Sequence, residues 1–120
     1  MRVLVAEDNP LNYELVLAVL NAAGHEVAWA QDGEEALRMV HEADFDILLL
    51  DLHMPKLDGL AVVRQLRADP ALTRLRIIVL TADAMPSVRE DLMAAGSDAF
   101  FTKPLDIRGL LDAVELLRVR

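Results

Sequence analysis

A chain of 120 residues that is 54% hydrophobic can bury the core of one ordinary domain, and this excludes disorder. Its formal net charge of −8 and pI near 4.7 create a field that repels phosphate backbones and anionic membranes, so no direct nucleic-acid binding is expected. The lack of cysteine rules out a disulfide scaffold, a thiolate metal site and a cysteine nucleophile, and agrees with a cytoplasmic location.

Arg2 to Ala6 is an apolar, β-rich run. The acidic turn Glu7-Asp8-Asn9-Pro10 follows, and then Leu11, Leu15, Ala18, Val19 and Ala22 at helical spacing. Asn9 suits an N-cap, Pro10 the first helical turn, and Gly24 the left-handed position that closes a helix. His25 to Ala30 reads as a second strand. Asp32-Gly33-Glu34-Glu35 opens a second helix with acids that favour its dipole, and Ala36, Leu37 and Val40 form its apolar face. The stretch from Phe45 to Pro55 reads Phe-Asp-Ile-Leu-Leu-Leu-Asp-Leu-His-Met-Pro. Within it, Ile47 to Leu50 is unbroken apolar, the pattern of a central parallel strand buried on both faces, and Asp51 stands at its carboxyl end.

A third helix, from about Asp58 to Ala68, carries Leu60, Val63 and Leu66 inward and stops at Asp69-Pro70. Ile77 to Leu80 repeats the buried-strand pattern and ends at Thr81. A fourth helix runs from about Pro86 to Ala95 and stops at Gly96. Ala99 to Thr102 is a short fifth strand ending in Lys103-Pro104, and a last helix, about Asp106 to Leu117, buries Leu110, Leu111, Val114 and Leu117. Arg64, Arg67, Arg74 and Arg76 form a local basic cluster that reads as a solvated face.

Five strands alternating with five helices imply an α/β fold: a parallel sheet with right-handed crossovers and helices on both faces. No repeat, low-complexity tract or linker interrupts the pattern, so residues 1–120 are expected to be a single domain without an output domain. No apolar run approaches the roughly 18 residues of a membrane span, and no leader precedes the first strand, so no membrane partner is expected.

In such a sheet the ligand crevice lies outside the carboxyl ends of the strands. Glu7 and Asp8 follow the first strand, Asp51 the third, Thr81 the fourth and Lys103 the fifth. Three carboxylates packed together without a cation repel one another by roughly 4 kcal/mol per close pair at an effective dielectric near 20. A divalent cation relieves this, and an all-oxygen ligand set points to Mg²⁺, with Mn²⁺ as a substitute. A phosphoryl group is its natural companion, with the Lys103 ammonium and the Thr81 hydroxyl offered to its oxygens. Asp51 is then either a metal ligand only or a nucleophile that forms an acyl phosphate. Singly, each residue has a plainer explanation: a helix-terminal acid, a turn, a surface Lys-Pro. Jointly, four strand ends carry the one chemistry that fits phosphate and Mg²⁺.

The segments Leu-Val-Ala-Glu-Asp-Asn, Asp-Gly-Glu-Glu-Ala-Leu, Asp-Leu-His-Met-Pro with Asp-Gly following, Leu-Thr-Ala and Lys-Pro-Leu resemble those of the receiver domains of bacterial two-component response regulators, from Val3 to Leu117. The resemblance implies the flavodoxin-like strand order 2-1-3-4-5. It implies that Asp51 accepts a phosphoryl group from a histidine on a sensor kinase or a histidine phosphotransfer protein. Asp8, Asp51 and the backbone carbonyl of His53 would bind Mg²⁺ directly, and Glu7 through water. Thr81 and Lys103 would hold the phosphoryl oxygens, and Phe100 occupies the switch-aromatic position. Phosphorylation adds charge and acceptor oxygens; Thr81 moves toward them and Phe100 turns inward, writing the signal on the face of the fourth helix, fifth strand and fifth helix for a downstream protein. Phe100 lacks the hydroxyl of the frequent tyrosine, Pro86 sits early in the fourth helix, and His53 and Asp83 lie where the family tunes phosphoryl lifetime.

Rival assignments fit less well. Haloacid-dehalogenase-type phosphatases share an aspartyl nucleophile, Mg²⁺, Thr and Lys, but place a second Asp two residues on, where this chain has His53. An interaction module that has lost phosphorylation has no need of all five site residues. A Rossmann or P-loop nucleotide site needs glycines where this chain has Glu-Asp-Asn-Pro. The expected activity is therefore a switch that catalyses only its own phosphorylation and dephosphorylation, not an enzyme.

Overall fold

A computed structural model describes residues 1–52, 54, 58–82, 85–102 and 107–118 of the chain, with side chains left out at 107 and 116–118. The elements are β1 (Arg2–Ala6), α1 (Pro10–Ala22), β2 (Glu26–Ala30), α2 (Gly33–Glu42), β3 (Ile47–Asp51), α3 (Gly59–Ala68), a 3-10 turn (Pro70–Leu72), β4 (Arg76–Thr81), α4 (Pro86–Ala95), β5 (Ala99–Thr102) and α5 (Ile107–Arg118). All five strands are parallel, in the order β2-β1-β3-β4-β5. The flavodoxin-like order implied by the sequence motifs is the observed one.

Alternation along the three central strands sorts their side chains into two cores. Leu4, Leu48, Leu50, Ile77 and Val79 pack with Ala36 and Val40 of α2, Val62, Val63 and Leu66 of α3, and Leu92 of α4. Val3, Val5, Ile47, Leu49, Ile78 and Leu80 pack on the other face with Val16 and Leu20 of α1 and Leu110 and Val114 of α5. Every residue of β3 is buried, as its unbroken apolar run requires.

The stripe by which α1 announces itself in the sequence is not the face it buries. Leu11 is 75% and Leu15 48% exposed, and Ala18 and Ala22 also face outward, while Val16 and Leu20 enter the core. The helix is apolar nearly all round, so spacing alone leaves its rotation open. Its ends follow the local rules: Asn9 caps Leu11 and Asn12 through its side chain, Pro10 opens the first turn, and Gly24 has φ 88°. His25 precedes β2, because its N–H closes the end of α1 on the Leu20 carbonyl at 3.0 Å. Asp58 is likewise a cap, accepting from the Ala61 amide at 3.2 Å, so α3 begins at Gly59. The expected start of the last helix at Asp106 lies outside the described residues.

The basic cluster is not simply a solvated face. Arg67 donates from Nε to the Gly96 carbonyl (2.8 Å), from Nη1 to the Leu72 carbonyl (3.2 Å) and from Nη2 to Asp98 Oδ2 (2.8 Å). Asp98 also accepts from the Ile77 amide at 2.8 Å and faces Arg76 at 3.7 Å. One guanidinium thus ties α3, the end of α4 and the starts of β4 and β5 together. Gly96 fits this tie twice over: its φ is 117°, and a Cβ there would lie 2.5 Å from Arg67 Cγ. Replacing Arg67 by Met keeps the stem and removes these bonds, and should cost about 2 kcal/mol of stability, read as a lower midpoint in urea unfolding.

A second tie is pH-sensitive. His41 of α2 faces the Leu37 carbonyl through Nδ1 at 2.7 Å and Asp69 Oδ2 through Nε2 at 2.9 Å, and only the imidazolium donates to both. The Leu37 carbonyl and then Asp69 raise the His41 pKa above 6.5, and the Ala71 amide and then His41 lower that of Asp69 below 3.8. The His41 contribution is therefore complete below pH 6.5 and lost as pH rises through the raised folded-state value. The Asp69 contribution is present above pH 3.8 and lost as pH falls through the lowered one. In Asp69→Asn the NMR titration midpoint of His41 should fall toward 6.5, and the stability difference from wild type should shrink on the alkaline side.

Candidate metal centre at the carboxyl edge of the sheet

Register brings the candidate residues to one edge. Ala6 pairs with Leu50, so Glu7 and Asp51 end neighbouring strands at the same level. Asp51 pairs with Leu80, and the Leu52 amide donates to the Leu80 carbonyl at 2.9 Å, which sets Thr81 one residue beyond on the next strand. One carboxylate oxygen from each of Glu7, Asp8 and Asp51 lies within 4.8 Å of the others. Glu7, Asp51 and Thr81 are 4%, 1% and 3% exposed, and Asp8 forms the open rim.

The loop that holds the acids is built from β1, β2 and α1. The Glu7 amide donates to the Ala30 carbonyl at 3.0 Å, extending the β1–β2 ladder by one residue. Glu7 Oε1 accepts from the Asn9 amide at 3.2 Å and from Asn12 Nδ2 at 3.5 Å. Trp29 Nε1–H donates to the Glu7 carbonyl at 2.6 Å, while its ring stacks on Tyr13. Burial raises the Tyr13 pKa above 10.0. Trp29 is a site residue that the sequence does not reveal, because it belongs to no motif and its reach to Glu7 depends on register; Asn12 closes the Glu-Asp-Asn-Pro-Leu-Asn opening, and its reach to Glu7 depends on the rotation of α1.

Three carboxylates at this spacing repel by roughly 3 kcal/mol per pair at an effective dielectric near 20. The donor set fits a hard divalent ion: all three groups offer carboxylate oxygens, and one exposed acid leaves an entry side. The cluster can therefore hold a metal ion.

Phe100 is half-buried in β5, paired with Val79. Thr81, two residues beyond Val79, shares that face of the sheet with it. The Arg89 guanidinium of α4 lies 5.9 Å from the Phe100 ring centroid. Pro86 occupies the first turn of α4, as the sequence suggests. His53, Asp83 and Lys103 lie outside the described residues. Among the described residues, no helix is long and apolar enough to cross a membrane.

A flavodoxin-like α/β domain with clustered acids where its central strands end is the class that fold and site define. Within that class, residues 3–115 match the family model of the response regulator receiver domain, and the chain belongs to that family. It is a receiver of two-component signalling, a general switch role. It is 38% identical over 118 residues to the gliding motility regulatory protein of Myxococcus xanthus, covering 98% of this chain and 15% of that protein. It is 31% identical over 113 residues to the polar-differentiation response regulator DivK of Brucella ovis, covering 94% of this chain and 92% of that one. Among solved structures it resembles the receiver domain of sensor histidine kinase PA1611 from Pseudomonas aeruginosa, in which a magnesium ion is coordinated in the active-site cleft. The TM-score is 0.86 at 33% identity, over 97% of this chain and 95% of that one. The chain thus spans about a sixth of the longer relatives it matches and nearly all of the short ones.

Crowding of the acids has a measurable consequence. In EDTA, Asp51→Asn removes one of the three carboxylates and should raise stability by about 1 kcal/mol or more. Mg²⁺ should stabilise wild type more than the variant, as thermal unfolding with and without the ion will show.

Proposed function

We propose that Asp51 is the phosphoacceptor of a two-component system or phosphorelay. The observation that carries this is a carboxylate, buried at the end of the central strand, within 4.8 Å of two more acids. A carboxylate oxygen of Asp51 attacks the phosphorus of a phosphohistidine. The P–O bond forms as the P–N bond breaks, and the imidazole nitrogen leaves with the electron pair and takes up a proton. Asp8, Asp51 and the carbonyl of His53 would hold Mg²⁺, and Glu7 would act through water; the magnesium named for the receiver of PA1611 supports the choice of ion. When bound, Mg²⁺ offsets the repulsion between the incoming phosphoryl oxygens and the acids. Thr81 and Lys103 donate to the phosphoryl oxygens.

The donor is a sensor histidine kinase or a histidine phosphotransfer protein in the cytoplasm. Leu11 and Leu15, exposed on α1 just beyond the acidic loop, offer it an apolar contact. Thr81 and Phe100 share a face of the sheet, so attraction of Thr81 to the phosphoryl group opens room for Phe100 to turn inward. The face formed by α4, β5 and α5 then changes for a downstream protein target. The domain catalyses only its own phosphorylation and dephosphorylation.

Intact-mass measurement after incubation with acetyl phosphate and Mg²⁺ should show one added phosphoryl group, absent in EDTA and absent in Asp51→Asn. An adduct that survives in folded Asp51→Asn would place the acceptor elsewhere and overturn the assignment.

A further inference from the structure

Trp29 is the single tryptophan of the chain and belongs to none of its site motifs. It stands on β2 opposite Val5, two residues before Glu7, on the face that Val5 shares with Val16 and Leu20 of α1. From there its ring lies flat against Tyr13, with centroids 4.4 Å apart and planes 6° from parallel. The stack aims Nε1–H at the Glu7 carbonyl, 2.6 Å away.

This bond completes a set. The Glu7 amide is held by Ala30 at 3.0 Å, its carbonyl by Trp29, and its carboxylate by the Asn9 amide and Asn12. The Glu7 carbonyl and the Asp8 amide lie in one planar peptide, so fixing the carbonyl fixes the direction in which Asp8 leaves the strand. The indole therefore acts on both acids through a single bond, and its other contact is with the helix that follows them.

We infer that Trp29 is a positioning residue of the metal site: anchored on Tyr13, its indole N–H orients the Glu7–Asp8 peptide so that both carboxylates meet Asp51 at the spacing a divalent cation takes. This role rests on the proposed Mg²⁺ site. A ring that only filled space would be replaced by phenylalanine at little cost to the metal, because phenylalanine keeps an aromatic surface for Tyr13 while it removes the N–H together with the smaller ring of the indole.

The test is calorimetric titration of the full chain with MgCl₂, for wild type and Trp29→Phe, alongside thermal unfolding of both in EDTA. Loss of one hydrogen bond that orients ligands should weaken Mg²⁺ binding about three- to tenfold. The acetyl phosphate reaction should then recover when Mg²⁺ is raised in proportion, which general destabilisation would not produce. Equal affinity in a folded Trp29→Phe protein overturns the inference and leaves the metal site standing. No Mg²⁺ uptake by wild type at millimolar concentration overturns both. If Trp29→Phe fails to fold, the indole N–H resonance of ¹⁵N-labelled wild type decides. It should shift during the titration with the calorimetric midpoint, and an unmoved resonance at saturation overturns the inference.

Discussion

Glu7 and Asp51 are acids buried side by side at the ends of neighbouring parallel strands, with Asp8 above them at the rim. Like charges at this spacing repel one another. The strands that lead to Glu7 and Asp51 are deeply buried. β3 is buried over its whole length, and β1 beside it is buried from Val3 to Ala6. A hydrophobic core on each face of the sheet thus holds charges where an isolated peptide would let them part. In a receiver domain such a cluster of acids can hold a metal ion.

The helices contribute unequally to that edge. The α1 helix begins directly after the acids, and its capping residue Asn9 also donates its amide to Glu7, so the helix start and the site are one construction. The α3 helix is held from the far end by Arg67, whose bonds to Gly96, Leu72 and Asp98 stay at the base of the sheet. Among the described residues, the Arg67–Asp98 pair lies at the amino edge of the sheet and the clustered acids at the carboxyl edge. Hence a net charge of −8 over the chain says little about the site itself.

Much of this was legible in the letters because it depends on local pattern. Unbroken runs such as Ile47 to Leu50 mark strands that must be covered on both faces, and Asp51 or Thr81 after such a run has to lie at the ligand edge. Caps were equally plain at Asn9, Gly24 and Gly96, where one residue type meets one backbone need. What stayed hidden is non-local. The buried face of α1 is set by how Tyr13 meets Trp29 across two elements, and Leu11 and Leu15 are as apolar as the residues that were buried instead. Arg67 looked like a surface arginine because its acceptors, in the 3-10 turn, at the end of α4 and at the entry to β5, meet it only in the fold. Two of them are backbone carbonyls, which carry no side-chain signature at all.

The two sides of the acidic edge are held differently. On the β1 side, Glu7 is fixed at amide, carbonyl and carboxylate, so that wall can orient ligands but has little freedom to move. On the β4 side, Thr81 ends its strand next to β5, and Phe100 lies on the same face, only half-buried. Its ring meets Arg89 at 5.9 Å, a cation–π contact of about 0.5–1 kcal/mol at an exposed site. Phenylalanine has no hydroxyl, so the ring offers no hydrogen bond of its own. The ring also packs against the core on that face of the sheet. The β2 side of the edge is thus tied by hydrogen bonds to Glu7 and the β5 side carries the packed ring of Phe100, a difference that follows from which neighbours each strand end was given.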